Sequence, residues 1–365
     1  MWFSLLTLFS ILNYTYGFNA IVVGGGPVGK LSAISLALRG HTVKIYEKAV
    51  SNKEIDIDKS YNFIIPERGI NSLDAFQIPY EDVSVYVKNI VRHDFKKTYS
   101  FPSPESISIS RNDLIGSIDI VLNELGVPTY NSELIGADLN KNIAVFSHGI
   151  ERFDLLLGAD GGRSLTRSLM LMHDSKNMSI CSELDNRVFK TLYITPEQLK
   201  SIPGYTKDWY NSFHVWQTST SDLICPPNIY GGLSASFVSK NGNFDENRLP
   251  PNFDYNRITD QKERVQRTVI PSRIGYESVA LLGDAAHTML SSLGAGVTAG
   301  LEDCIVFDKC IRECRTPSEI CEMYNKIRIE DSISICNLSK IAFGKSDRSN
   351  RAGVIDEKVL ISLGD

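Results

Sequence analysis

The stretch FNAIVVGGGPVGK, residues 18–30, leaves few folds open to this chain. Ala20, Ile21, Val22 and Val23 read as a short buried strand, and residues 29–39, with Leu31, Ile34, Ala37 and Leu38 on one side, read as a helix. HTVKIYE, residues 41–47, supplies a second strand and completes a strand–helix–strand unit. In a GxGxxG turn the first glycine permits a tight bend, the second lets a pyrophosphate lie against backbone amides, and the third lets helix and strand pack closely. Gly24, Gly26 and Gly29 hold those positions, with Val28 between the second and third. Glu47 ends the second strand, where a carboxylate accepts hydrogen bonds from ribose hydroxyls. The combination points to a dinucleotide site.

The bulk numbers narrow the class. With 365 residues and 42% hydrophobic content the chain can form one large or two modest cores. Lys and Arg number 38 against 43 Asp and Glu, so no basic excess points to nucleic acid. Seven cysteines without a CxxC pair suit free core thiols better than a zinc site or a disulfide framework. Residues 2–12, WFSLLTLFSIL, are apolar, too short to span a bilayer, and followed by Thr15 and Gly17, a small-residue pattern suited to a peptidase. Residues 1–17 therefore read as a signal-like segment, which implies secretory entry or membrane association.

Two more glycine-rich stretches follow. DLLLGADGGRSLTR reads as a buried strand running into a turn, with Asp160, Ser164 and Arg167 spaced as D-G-x-x-S-x-x-R. VALLGDAAHTMLSSLGAGVTAGLEDC reads as a strand, a turn carrying Asp284, and a helix whose start is lined by Gly294 and Gly296. Such a helix start can hold an anion or a carbonyl near its amides, and Asp284 is placed to accept from a ribityl hydroxyl. Alternation in residues 83–87 and 106–110 suggests antiparallel strands, residues 111–126 a helix, and residues 212–216 and 231–238 pieces of a sheet covering a ligand. Residues 241–254 read as a polar loop, and Thr316, Pro317 and Glu319 as the start of a helix reaching about Lys340.

With these motifs in this order, the chain resembles the class A flavoprotein monooxygenases of the para-hydroxybenzoate hydroxylase fold. Within that family SYNFIIPERGINSL, SISRNDL, FHVW and AGLEDCIVFD are similar to segments of the kynurenine 3-monooxygenases. The resemblance implies an α/β fold: a Rossmann-like FAD-binding domain (residues 18–75, 105–175 and 270–310), an inserted antiparallel-sheet substrate domain (76–104 and 176–269), and C-terminal helices (311–365). It implies FAD at Gly24, Gly26, Gly29 and Glu47, further FAD contacts at Arg111 and Leu134, and Val297 and Thr298 at the flavin ring. It places the Asp160 turn near both FAD and NADPH, and Asp284 on the ribityl chain. The implied activity is hydroxylation of a small aromatic substrate with NADPH and O2, L-kynurenine to 3-hydroxykynurenine being the family's case; the alternatives are another aromatic substrate or a truncated, non-catalytic flavin-binding protein.

The departures are specific. Ser291 stands where the family motif has a proline, Lys88 where an arginine grips the kynurenine carboxylate, and Ala342 where an asparagine lies on the late helix. Lys88 keeps the charge and loses the bidentate fork. The chain ends at Asp365, before the region that supplies another substrate tyrosine and the anchoring tail by which the resemblance implies a mitochondrial outer-membrane location. The flavin carries the oxygen chemistry, so no catalytic acid or base is required. His287 and His214 read as structural residues.

Overall fold

The computed structural model describes residues 17–48, 61–93, 97–217, 221–240 and 264–348. The N-terminal apolar stretch and the polar loop of residues 241–254 lie outside the described residues. The frame is a six-stranded sheet ordered β18 (Gly275–Tyr276), β19 (Val279–Leu281), β12 (Leu155–Gly158), β1 (Asn19–Val23), β2 (Thr42–Glu47) and β8 (Thr129–Asn131). Neighbours are parallel except for the β18–β19 hairpin. Leu155, Leu156 and Leu157 are all buried, as expected of a parallel strand covered on both faces.

Helix α1 (Pro27–Leu38) packs against α3 (Arg111–Glu124) and α7 (Gly296–Glu313). It begins two residues earlier than the apolar periodicity implies, because Pro27 is well suited to the first helical position and Gly26 caps it in extended conformation. Two three-stranded sheets flank the frame: β3 (Asn62–Pro66), β7 (Ser106–Ser110) and β4 (Ser84–Tyr86), and then β11 (Gly149–Arg152), β10 (Ile143–Phe146) and β9 (Leu134–Asp138). Helices α2 (Glu67–Ala75) and α4 (Leu165–His173) follow β3 and β12, and α6 (Asp284–His287) follows β19. The last helix, α8 (Pro317–Arg348), carries the reciprocal Thr316–Glu319 cap that its sequence suggests and runs about two turns beyond Lys340.

The second large sheet has seven strands ordered β17 (Arg264–Pro271), β13 (Ile180–Ile194), β16 (Leu233–Lys240), β15 (Ser221–Cys225), β14 (Ser212–Gln217), β5 (Asn89–His93) and β6 (Thr98–Pro102). Side chains alternate between its faces. One face presents Leu192, Trp216, Leu223, Cys225, Ala235 and Phe237, all buried with Leu199 of α5 (Pro196–Ser201) and Trp209. The opposite face presents Phe189, Phe213, Val215, Ile224 and Ser236, all only half-buried. A packed outer face and a less covered inner face suit a sheet that roofs a cleft.

Candidate active site

Three loops meet at the C-terminal ends of β1, β12 and β19, the edge where open α/β sheets bind ligands. The first is the glycine turn. Gly24 has φ +107°, and a Cβ there would overlap the Ala159 carbonyl at the end of β12. A Cβ on Gly29 would overlap the Gly24 carbonyl. Gly26 differs, since a Cβ there would meet only Arg111 Nη2, at 3.7 Å. Two of the three glycines are thus demanded by packing, and the third faces open space beneath a guanidinium. Glu47 Oε2 accepts the Gly25 amide at 2.7 Å, which draws the strand-end carboxylate onto the same turn. The α1 amides carry no side-chain cap and no acidic residue in the first turn, so the helix N-terminus keeps its attraction for an anion.

The second loop follows β12. Asp160 accepts from Ser164 Oγ at 2.5 Å, from the Thr166 amide at 3.0 Å and from Thr166 Oγ1 at 3.1 Å, so its carboxylate shapes its own turn. Ser164 caps α4 through the Arg167 amide. The buried Arg167 guanidinium donates to the carbonyls of Gly162 (2.7 Å) and Ala285 (2.9 Å), tying this loop to the third. The spacing motif contains Arg167 without revealing this role; an arginine buried among backbone carbonyls is visible only once the two loops are brought together.

The third loop follows β19. Asp284 is solvent-exposed, yet its protein surroundings are crowded enough that desolvation raises its pKa, against the pull of His287 and Arg167. Its Oδ1 lies 4.0 Å from where a Gly296 Cβ would stand, so the carboxylate reaches the start of α7. Gly294 there has φ +61°. Val28 of α1 fills the space beside Gly283 and Gly300, locking the first loop to the third. Val297 is half-buried, whereas Thr298 is buried with an unpartnered Oγ1 and packs beside Gly69 of α2. Leu134 belongs to the hydrophobic core at the start of β9.

Behind Asp284 lies a buried ionic cluster. His287 Nε2 is 2.6 Å from Asp303 Oδ2, Gly283 donates its amide to the same oxygen at 2.7 Å, and Arg328 Nε reaches Asp303 Oδ1 at 2.7 Å. Burial alone would disfavour charge on His287, but the Asp303 carboxylate outweighs it and the imidazole pKa rises. Asp303 moves the other way, because His287 and Arg328 together outweigh its desolvation. The cluster fixes α6 against α7 and α8.

The inner face of the seven-stranded sheet closes on this region. Val238 packs with Leu290, on the loop between α6 and α7, and with Phe189 and Ile224 as partly buried neighbours. Phe189 also meets Tyr61, ring to ring at 6.2 Å, and Ser234 Oγ accepts the Asn62 amide at 3.0 Å. Lys88 is exposed just before β5, its ammonium 3.3 Å from the Asn211 amide group. His214 lies on the outer face, fully buried: Nδ1 is 2.9 Å from His93 Nε2, and Nε2 is 3.1 Å from the Trp209 carbonyl.

The paired sheets and the three loops on one sheet edge give the chain a fold shared with solved FAD-dependent hydroxylases, to which it is similar. By sequence, the chain is 26% identical over 372 residues to the kynurenine 3-monooxygenase of Phaeosphaeria nodorum, spanning 87% of this chain and 76% of that enzyme. Kynurenine 3-monooxygenases from Flavobacterium psychrophilum and Sus scrofa match at 27% and 26%. Among solved structures, 2-methyl-3-hydroxypyridine-5-carboxylic acid oxygenase superposes with a TM-score of 0.76 at 17% identity, covering 92% of this chain and 94% of that one. HpxO from Klebsiella pneumoniae, solved with FAD and uric acid, superposes at 0.75 and 16%, covering 97% and 93%. No family model matches the chain.

Proposed function

We propose that this chain is an FAD- and NADPH-dependent aromatic hydroxylase of the kynurenine 3-monooxygenase kind. Its reaction takes an aromatic substrate, NADPH, a proton and O2 to the ring-hydroxylated product, NADP+ and water. Bound FAD would supply the redox chemistry, hydride uptake from NADPH and transfer of one oxygen atom of O2 to the ring.

The observation that carries this reading is the different fit of the three glycines. Gly24 and Gly29 are closed by the fold itself, while Gly26 opens toward Arg111 at an uncapped helix start. A pyrophosphate suits that opening, with Arg111 and the α1 amides as donors and Glu47 placed for the adenosine ribose. Asp284 is assigned to the ribityl hydroxyls. The start of α7, with Gly294, Gly296, Val297 and Thr298, is assigned to the flavin ring. Leu134, being part of the core, would meet FAD through its main chain. Asp160 holds its own turn and would act on either cofactor through that turn. The chain's own work is positioning and exclusion of water, the half-buried inner sheet face supplying the wall above the ring.

The test is the visible spectrum of the purified chain, followed by NADPH oxidation with and without L-kynurenine. Bound flavin with kynurenine-stimulated oxidation and 3-hydroxykynurenine as product is the expected outcome; a colourless protein that takes up no added FAD would reject the reading.

Secretory entry is part of the same proposal and rests on the sequence of residues 1–17. Among the described residues no helix is long and apolar enough to cross a membrane. Amino-terminal sequencing of the mature protein tests it, a start near Phe18 being the expected result and an intact Met1 the contrary one.

A further inference from the structure

Asn177, Met178 and Ser179 form the triplet N-x-S, the acceptor of an asparagine-linked glycan in chains that enter a secretory compartment. The same spacing occurs twice more, at Asn13 and Asn337. Asn13 lies in residues 1–17, which cleavage near Phe18 removes, so the choice falls between Asn177 and Asn337. The triplet is defined by its hydroxyl as well as by its amide, so a transferase has to engage both side chains. Asn337 fails that condition. It stands exposed in the interior of α8, but its Ser339 is fully buried, with Oγ donating to the Cys336 carbonyl at 2.7 Å and accepting the Leu290 amide at 3.1 Å.

Asn177 meets it. It ends the turn of residues 174–177 that joins α4 to β13, where Ser175, Lys176, Asn177 and Ser179 are exposed and Met178 is buried as the anchor. The backbone is settled without either acceptor side chain. The Asn177 and Met178 amides donate to the Asp174 carbonyl at 3.1 and 2.9 Å, the Ser179 amide to Ser272 Oγ at 3.0 Å, and the Ser179 carbonyl accepts the Ser272 amide at 2.8 Å. Among the described residues nothing bonds to the Ser179 hydroxyl. Asn177 Nδ2 donates to Asp174 Oδ1 at 2.8 Å, and Arg273 holds the other oxygen of that carboxylate at 2.9 Å. A side-chain amide nitrogen carries two hydrogens, so a glycan replaces one and leaves the other for Asp174. The turn also lies away from the cleft: α4 begins at the Asp160 loop and its nine residues carry the chain about 13 Å from it.

We propose that Asn177 is a glycosylation site. The transfer forms a bond between Asn177 Nδ2 and the anomeric carbon of an oligosaccharide carried on a polyprenyl diphosphate. It breaks that carbon's bond to the diphosphate oxygen, and the displaced amide proton goes with the released polyprenyl diphosphate; nothing is oxidised or reduced. This rests on the secretory entry proposed above and adds to it a modification site.

The test expresses the full chain with its own amino terminus in cultured eukaryotic cells and compares its electrophoretic mobility before and after peptide N-glycosidase. The amino-terminal sequence is read from the same sample, and the modified peptide is located by mass spectrometry. The wild type gains mobility on treatment and carries the glycan on the peptide containing Asn177. Asn177→Gln and Ser179→Ala abolish the shift, whereas Ser179→Thr, which keeps the triplet, and Asn337→Gln retain it. Loss in two variants at different residues, with retention in Ser179→Thr, separates loss of the acceptor from misfolding. A wild type that starts near Phe18 and shows no shift overturns the glycan and leaves secretory entry standing. An intact Met1 without a shift overturns secretory entry and the glycan with it. A shift that survives Asn177→Gln and disappears in Asn337→Gln overturns the assignment to Asn177.

Discussion

Arg167 donates a 2.9 Å hydrogen bond to the carbonyl of Ala285, across 118 residues of sequence. With its second bond to Gly162 it joins two of the three loops at the sheet edge. Arg167→Met keeps much of the aliphatic bulk and removes the donors, leaving buried carbonyls unanswered. The variant should lose about 2–4 kcal/mol of stability in urea unfolding, since hydrogen bonds to a charged group contribute more than neutral ones. It should also release flavin more readily, because Asp284 sits beside the loop that Arg167 holds. Wild-type flavin affinity in Arg167→Met would refute the coupling.

The three glycines should separate cleanly. Gly24→Ala and Gly29→Ala force a Cβ into a carbonyl, and Gly24 also has a φ that alanine avoids, so each should cost about 2–5 kcal/mol with or without flavin. Gly26→Ala has room and should leave the urea midpoint of the flavin-free chain within about 0.5 kcal/mol. Its effect should appear in flavin affinity, as a loss on the order of tenfold or more from displacing one charge-assisted phosphate contact. Equal destabilisation by all three alanines would place Gly26 in the packing rather than in the site.

Two buried histidine sites should respond to pH with opposite sign. In the outer-face pair, burial lowers His93 to about 3, with a further contribution from His214, and lowers His214 to about 4. Unfolded histidine takes up a proton near pH 6.5, so the stability due to this pair falls as pH drops below about 6.5. His287 is raised in the fold, and its contribution is fully present below about pH 6.5 and lost as pH rises through its folded pKa. Its partner Asp303 is lowered, and its contribution is present above about pH 4 and lost as pH falls through its folded pKa. The cluster therefore stabilises most between about pH 4 and 6.5. Urea unfolding across pH 4–9 should show that His214→Asn flattens the acid-side loss, while His287→Gln costs most at the acid end of the range. Parallel pH profiles for both variants and the wild type would contradict the assigned directions.

What the sequence discloses here depends on how far apart the cooperating residues lie. The strand, glycine turn, helix and Glu47 are local, and hydrophobic periodicity with glycine spacing suffices to place them. The three-loop cleft is legible as three motifs, but the bonds that unite them, Arg167 to Ala285 and Val28 against Gly283 and Gly300, depend on parallel pairing between distant strands. The seven-stranded sheet is least legible. The sequence of β14 and β16 suggests pieces of a sheet without saying which face is inward, and β5 pairs with β14 across 123 residues.

Ser291 is the departure whose consequence the structure makes most concrete. Its amide donates to Gln266 Oε1 at 2.8 Å, a bond that proline has no hydrogen to make. The neighbouring Leu290 amide reaches Ser339 Oγ at 3.1 Å, and Ser292 Oγ reaches the Ser339 carbonyl at 2.6 Å, so β17 and α8 pin this loop through hydrogen bonds. Leu290 has φ −75° and ψ 153°, the extended geometry that a residue preceding proline adopts without strain. The backbone would therefore accept Ser291→Pro, and the cost reduces to one lost bond and a half-buried amide oxygen left without its donor, about 1–2 kcal/mol. In a Gln266→Leu background that bond is already gone, and the same substitution should become neutral or stabilising by about 0.5 kcal/mol, because proline restricts the unfolded chain. A double-mutant cycle by urea unfolding measures the difference directly. A sign reversal between the two backgrounds would show that hydrogen bonding to β17 holds the loop where proline would otherwise stiffen it, and an equal cost in both would trace the penalty to the backbone instead.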